Sequence, residues 1–387
     1  MLMKIYKTVK MATIKHTQKY VLNFSYFILS KFLISCSQED NIVIGTDEIA
    51  NNIKYLKLVL GENTISVNFS KHIFYQDNLY DYSFYEYSLW SRCYGLLYKP
   101  YLLAKLMCFA NVFVYIWHTG FCRDRETDFN FLKKHNKKII CIFVGDDIRS
   151  RKMLLEYCNN NNLDTYVTYN NYDYIANDVR VREVARVADK YADMIFSRPL
   201  DQISYLKSRQ LQFRFTVDTQ QLKYNFKFAE GNSYTILHAP SDPITKGTQL
   251  VRAAIKKIQI LGYNVKYIEL TKKSNDEVLK ILKSSCIVLD QFYALSHGLF
   301  CLEAMATGNA VLMSAYYEDM PYGAQNAWLK TGYWEIFDNL KYLLDNPQKI
   351  EGYAVNGRDY VEKYFSIVAN KKYYKELFYK FDMVDIN

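Results

Sequence analysis

The sequence predicts an α/β protein made of two doubly wound parallel sheets, and three observations predict it. The first is a strict alternation between residues 234 and 315. Residues 234–240 (YTILHAP) read as a strand, 248–261 as a helix, 264–270 as a strand, 275–284 as a helix, 286–292 as a strand, 299–307 as a helix and 309–315 as a strand. Strands that alternate with helices through short loops form a parallel sheet with helices on its faces. The second is the stretch 41–69, where NIVIG reads as a strand, a helix ends near Gly61, and TISVNF reads as a strand, a second βαβ start. The third is length, since 387 residues suffice for two such cores.

Taken in chain order, residues 1–40 precede the first strand and hold six lysines against two acidic residues. Residues 21–36 (VLNFSYFILSKFLISC) allow three readings: a secretory signal with a lipoprotein-like box at Leu33–Cys36, an amphipathic helix lying on a membrane surface, or a helix packed on the first domain. Lys31 interrupts the run, which is shorter than the ~20 residues a spanning helix needs. Residues 75–101 are aromatic and irregular and read as a helical insertion or as an acceptor-facing or membrane-facing surface. NVFVYIW (111–117) and KKIICIFVG (137–145) extend the first sheet, and each ends at polar residues, His118-Thr119-Gly120 and Asp146-Asp147-Ile148-Arg149. A linker is expected near 215–228, and Ser274-Asn275-Asp276-Glu277 has the pattern of a capping box.

Ligands of doubly wound sheets bind outside the carboxyl ends of the strands. Two loops leave such ends in the second half. One is 241–247 (SDPITKG), with Lys246 just before a helix and Gly247 at the turn into it. The other ends at Gly298, before a short apolar helix whose one carboxylate is Glu303. A buried carboxylate must be paired or hydrogen-bonded. The helix N-terminal N–H groups from Leu299 onward can hold a diphosphate, Lys246 can neutralise it, and Glu303 can accept hydrogen bonds from a ribose diol. Asp290 and Gln291 end the strand that faces the same crevice, His238 ends another, and His297 stands beside Gly298. Each of these four also has a purely structural reading, as does His118.

These residues carry a resemblance. HAPSDPITKG (238–247), LDQF (289–292) and HGLFCLEAMATGNAV (297–311) resemble the carboxyl-terminal domain of family 4-like glycosyltransferases of the GT-B fold. Weaker echoes lie in WHTG (117–120), KKIICIFVGDDIR (137–149), ADKYADMIFS (188–197) and GRDYVEKYFS (357–366). The resemblance implies two Rossmann-like doubly wound domains with an interdomain cleft. Residues 41–225 would be the acceptor domain, 226–355 the nucleotide-sugar domain, and 356–387 helices crossing back to the first. It implies a nucleoside-diphosphate sugar as co-substrate, a glycan or lipid-linked acceptor as in polysaccharide biosynthesis, retained anomeric configuration, and no cofactor or metal. Lys246 and His118 would be catalytic. Glu303, Gly298, Leu299, His297, Gly247, His238, Asp290 and Gln291 would bind donor, and Gly45, Asp147 and Arg149 would lie on the acceptor side. The family often places a glutamate eight residues before the one at 303; here that position is Leu295. That departure keeps open a non-catalytic nucleotide-sugar-binding protein, and the fold itself allows a second alternative, a nucleotide-sugar epimerase.

Composition narrows the field further. Half the chain is hydrophobic and 23% is charged, as in a folded globular protein. The net charge of +9 suits an anionic donor and an anionic membrane surface. No dense Arg/Lys patch or nucleic-acid module occurs, which argues against a nucleic-acid partner. The first βαβ unit lacks G-x-G-x-x-G and there is no Walker loop, so a nicotinamide, a flavin or P-loop chemistry is unsupported. Asp146-Asp147 alone is too few oxygen ligands for a metal. The eight cysteines form no two-spaced pair, and with the need for a nucleotide-sugar they point to the cytoplasm or the inner face of a membrane.

Overall fold

The computed structural model describes residues 2–33, 41–71, 79–170, 173–226, 233–316 and 325–384. Residues 34–36 of the lipoprotein-like box and the end of the expected linker lie outside them.

In chain order the first half contains α1 (Leu2–Leu33), β1 (Asn41–Thr46), α2 (Asn52–Leu60), β2 (Thr64–Asn68), β3 (Tyr82–Ser83), α3 (Leu89–Met107), β4 (Ala110–Ile116), α4 (Arg125–Lys134), β5 (Lys138–Ile142), α5 (Arg151–Asn160), α6 (Tyr174–Tyr191), β6 (Met194–Ser197) and β7 (Gln210–Gln212). Its seven strands are parallel, in the order β3-β2-β1-β4-β5-β6-β7. The second half contains β8 (Tyr234–His238), α7 (Thr248–Ile260), β9 (Val265–Glu269), α8 (Asn275–Leu282), β10 (Ile287–Leu289), α9 (Leu299–Ala306), β11 (Ala310–Met313), β12 (Leu329–Lys330), α10 (Ile336–Asp345), α11 (Pro347–Tyr364) and α12 (Ile367–Lys380). Its five strands are also parallel, in the order β12-β11-β10-β8-β9.

The central strands are buried almost without interruption, as IVIGT in β1, IICI in β5 and AVLM in β11. Helices cover both faces of such strands, so their sequences are apolar runs without alternation of polarity. Successive side chains still point to opposite faces. Ile42 and Ile44 pack in the cluster that includes α2, while Val43 joins Leu103, Phe113 and Phe129 on the other face. Strand order reverses at β1/β4 in the first sheet and at β8/β10 in the second. These reversals leave crevices at the carboxyl ends, because the flanking loops run to opposite faces.

The two halves touch at named points. Leu295 packs with Leu154, Cys158, Tyr166 and Val167 of the first half. Arg198 Nη2 donates to Ser296 Oγ at 2.5 Å, and the rings of Tyr169 and Tyr293 lie 5.6 Å apart. The chain then returns. α12 packs on α2, Val217 N donates to Phe365 O at 2.8 Å, and Asn370 Nδ2 donates to Phe215 O at 3.0 Å and Thr216 Oγ1 at 2.9 Å.

Local rules account for several boundaries. Ser274 and Glu277 form the expected capping box of α8. Ser88 and Ser91 form another at the start of α3, inside the stretch read as a helical insertion. The strand read as 286–292 ends at Leu289, although Asp290 N still donates to Leu312 O at 3.1 Å, and the side chains of Asp290 and Gln291 reach Lys246. α1 packs its Leu22 into the first-half core, as the third reading of the amino-terminal segment expected.

Candidate active site

The loops after β8 and β10 meet in one cavity of about 220 Å³ at the switch point of the second sheet. Ala239, Pro240, Ser241 and Lys246 line it from the first loop, and Gly298, Leu299 and Phe300 from the start of α9. Lys272, Lys273 and Asn275 come from the loop after β9, and Glu303 lies one turn inside α9. The sequence therefore folds both expected loops onto the same side of the sheet, with space between them.

Glu303 is buried among Leu299, Leu302 and Met305. Its oxygens accept from Asn275 Nδ2 at 3.2 and 3.4 Å. Burial raises its pKa from 4.5 to about 7, and the Asn275 bonds offset this only in part. A carboxylate held at that cost at a cavity wall is ready to accept two hydroxyl donors, which would favour its charged form. Gly298 caps α9 without a side chain, so no side chain competes for the helix N-terminus at the cavity. Gly247 sits at φ +71°, the left-handed region, at the point where the Lys246 loop enters α7.

Lys246 is not a free loop cation. Its Nζ donates to Asp290 Oδ1 at 2.5 Å and to Gln291 Oε1 at 3.0 Å. Gln291 in turn donates to Ser296 O at 2.6 Å, which ties the Lys246 loop to the Gly298 loop. Asp290 and Gln291 thus belong to the wall as supports of Lys246, and neither lines the cavity. Asp290 Oδ2 is buried with no hydrogen-bond partner among the described residues.

Two expected donor contacts lie elsewhere. His238 is fully buried, with Nδ1 at 2.7 Å from Leu289 O and Nε2 at 2.9 Å from Thr248 Oγ1. Both ring nitrogens are occupied in joining β8, β10 and α7, and burial lowers its pKa. His297 is enclosed by Trp328, Tyr360 and Phe365, its ring centroid 5.0 Å from that of Phe365. Burial, with Arg198 nearby, holds it neutral far below the usual histidine range. The structure corrects His238 from a ligand contact to a packing residue, and His297, whose buried Nδ1 has no hydrogen-bond partner among the described residues, does not line the cavity.

The first sheet has its own cavity, of about 370 Å³, at the β1/β4 switch point. Thr46 ends β1 and Asp47 follows it, and His118, Thr119, Gly120 and Phe121 follow β4. Thr119 Oγ1 donates to Asp47 Oδ2 at 2.6 Å, and Lys99 pairs with Glu86 at 2.7 Å on another wall. Burial pushes Asp47 up. Burial, with Arg180 and Arg125, brings His118 down to about 4. His118 is therefore neutral at pH 7, and it lines this cavity rather than the one containing Lys246.

The remaining acceptor-side candidates brace the scaffold. A Cβ on Gly45 would stand 2.5 Å from Val67 O, so glycine lets β1 lie against β2. Asp147 is buried and accepts from Val144 N at 3.1 Å and Gly145 N at 2.8 Å, closing its own loop. Arg149 joins Asp146 and Asp201, both at 2.5 Å.

Lys272, Lys273, Asn275 and Asp47 escaped the sequence reading. Asn275 was masked by the capping box around it, which accounts for its neighbours and hides its own side chain. Lys272 and Lys273 follow β9 directly before the Ser274 cap, and no glycine marks that loop as a place where a ligand approaches the backbone.

No family model and no curated protein matches the sequence. Solved structures do match in shape. A sucrose-phosphate synthase from Thermosynechococcus elongatus superposes with TM-score 0.58 at 11% identity, covering 89% of this chain and 99% of that one. An alpha-glucosyltransferase solved with UDP and a 13-mer DNA gives TM-score 0.53 at 12% identity, covering 89% and 100%. WaaG, a glycosyltransferase involved in lipopolysaccharide biosynthesis, gives 0.50 at 11% identity, covering 86% and 98%. With two parallel doubly wound sheets, a cavity at the switch point of each and a returning carboxyl-terminal helix, the chain has the GT-B fold.

Proposed function

We propose that the protein is a glycosyltransferase that moves a sugar from a nucleoside-diphosphate donor to a glycan or lipid-linked acceptor. The observation that carries this reading is the convergence of Lys246, the amino end of α9 and buried Glu303 on one open cavity. The likeness to glycosyltransferases, one of them solved with UDP, supports it. In this reading Glu303 takes the ribose diol. The α9 amides, Lys246, Lys272 and Lys273 take the diphosphate. Asp290 and Gln291 fix Lys246 before donor arrives, so little reorganisation is needed as charge develops on the leaving group. The acceptor sits toward the first-sheet cavity with Asp47 and His118. Its hydroxyl oxygen attacks the anomeric carbon, the bond to the diphosphate oxygen breaks, and the departing diphosphate takes the proton, with retained configuration.

A thermal-shift panel of UDP, GDP, ADP and TDP with their hexose esters tests the donor half. Ligand at 100 times its Kd stabilises the folded state by about 2.7 kcal/mol, so one base should raise Tm by several degrees. A flat panel contradicts the reading. Leu295 favours one rival, a non-catalytic nucleotide-sugar binder, because an interdomain apolar contact occupies the place where the resembled family has a carboxylate. That rival predicts the same thermal shift with no nucleotide release in the presence of any glycan acceptor.

A further inference from the structure

We propose that the outer face of α1, with the neighbouring α3, docks the protein on a membrane leaflet that contains anionic lipid. α1 is apolar on two opposite faces. One face carries Gln18, Leu22, Tyr26 and Leu29 against α3 and the first-half core. The other carries Tyr20, Phe24 and Phe27 at helical spacings of four and three, with Phe32 to one side of them near the helix end, each more than half exposed. A helix whose rings lie on two faces normally buries both, and among the described residues the core and α3 cover only the first. α3, packed against it, exposes Trp90 to 86% and also Leu97.

Charge decides what covers this surface. Among the described side chains α1 carries Lys10, Lys15, Lys19 and Lys31, of which Lys15 pairs with Asp124, α3 adds Arg92 and Lys105 besides the Glu86-paired Lys99, and neither helix has a carboxylate. A second copy set against the same face would bring these cations together, because a two-fold contact repeats the same surface on both sides. An anionic leaflet is complementary. Its headgroup layer also suits aromatic side chains, which are enriched at that depth. No described helix is long and apolar enough to cross a membrane, so α1 lies along the surface with its rings inserted. This inference does not depend on the reading of the nucleotide cavity.

Flotation of the full chain with vesicles tests it. Binding should occur with phosphatidylcholine–phosphatidylglycerol vesicles, weaken in high salt, and be small with phosphatidylcholine alone. Phe24→Ser/Phe27→Ser/Phe32→Ser should cut the bound fraction by about tenfold or more with Tm unchanged, since those rings are exposed. Lys19→Glu/Lys31→Glu should remove the preference for anionic vesicles. The proposal is overturned if wild type binds neither vesicle, if the triple variant binds as well as wild type, or if wild type is a dimer that the triple substitution makes monomeric without any vesicle binding.

Discussion

Glu303 is where residue-scale energetics and function meet most sharply. Its folded-state pKa of about 7 lies above the ordinary 4.5 because burial disfavours the carboxylate. The folded protein therefore binds this proton more tightly than the unfolded chain. Stability from that proton is complete below about pH 4.5 and is lost as pH rises through about 7. Glu303→Gln mimics the protonated form. At pH 8 the variant should be more stable than wild type, by about 3 kcal/mol at most, and the gap should close by pH 4. Paired denaturation curves across that range check this, and the other buried carboxylates cancel in the difference. A Glu303 that merely structured the helix would give the opposite sign at pH 8. This residue was legible in the sequence, because one charge in an otherwise apolar eight-residue helix has few explanations. His238 and His297 were legible only as polar residues near strand ends. Whether such a ring faces the cavity or the core depends on the partners that other elements bring, and Leu289 O, Thr248 and Phe365 lie far away in the sequence or across a turn of backbone.

At the scale of elements, the alternation of strands and short helices in the second half could be read almost residue by residue. Strands β8 to β11 and helices α7 to α9 start within one or two residues of their expected positions. Their loops are short and their apolar runs are bounded by polar residues or glycine, so little is left for tertiary context to override. The loop after β10 is the instructive exception. Its Leu295 packs against α5 and the turn containing Tyr166 and Val167, a contact that no local pattern announces. Placing a carboxylate there would bury a charge among leucine, valine and tyrosine side chains. Leu295→Glu should therefore destabilise the protein by about 3 kcal/mol or more and should not raise the proposed transferase activity. Chemical denaturation and a donor-consumption assay report the two outcomes. A stable, more active variant would mean that the loop is free to turn its side chain toward the donor.

For the molecule as a whole, each sheet has its cavity where its strand order reverses, and the returning helix α12 packs on α2 while Asn370 bonds to Phe215 and Thr216 and Tyr373 to Gln212. The parallel topology follows from the sequence, whereas the lateral order of strands and the approach of the two halves rest on contacts between distant segments such as Arg198–Ser296. The central claim is that the cavity between the Lys246 and Gly298 loops binds a nucleoside diphosphate. Calorimetric titration of UDP and GDP into wild type, Glu303→Gln and Lys246→Met/Asp290→Asn tests it most directly, the double substitution avoiding an unpaired buried Asp290. The account predicts that wild type binds one of the two and that each variant binds it at least about tenfold more weakly, the loss of one charged hydrogen-bonding group. Wild type that binds neither nucleotide, or variants that bind with unchanged affinity, would contradict it.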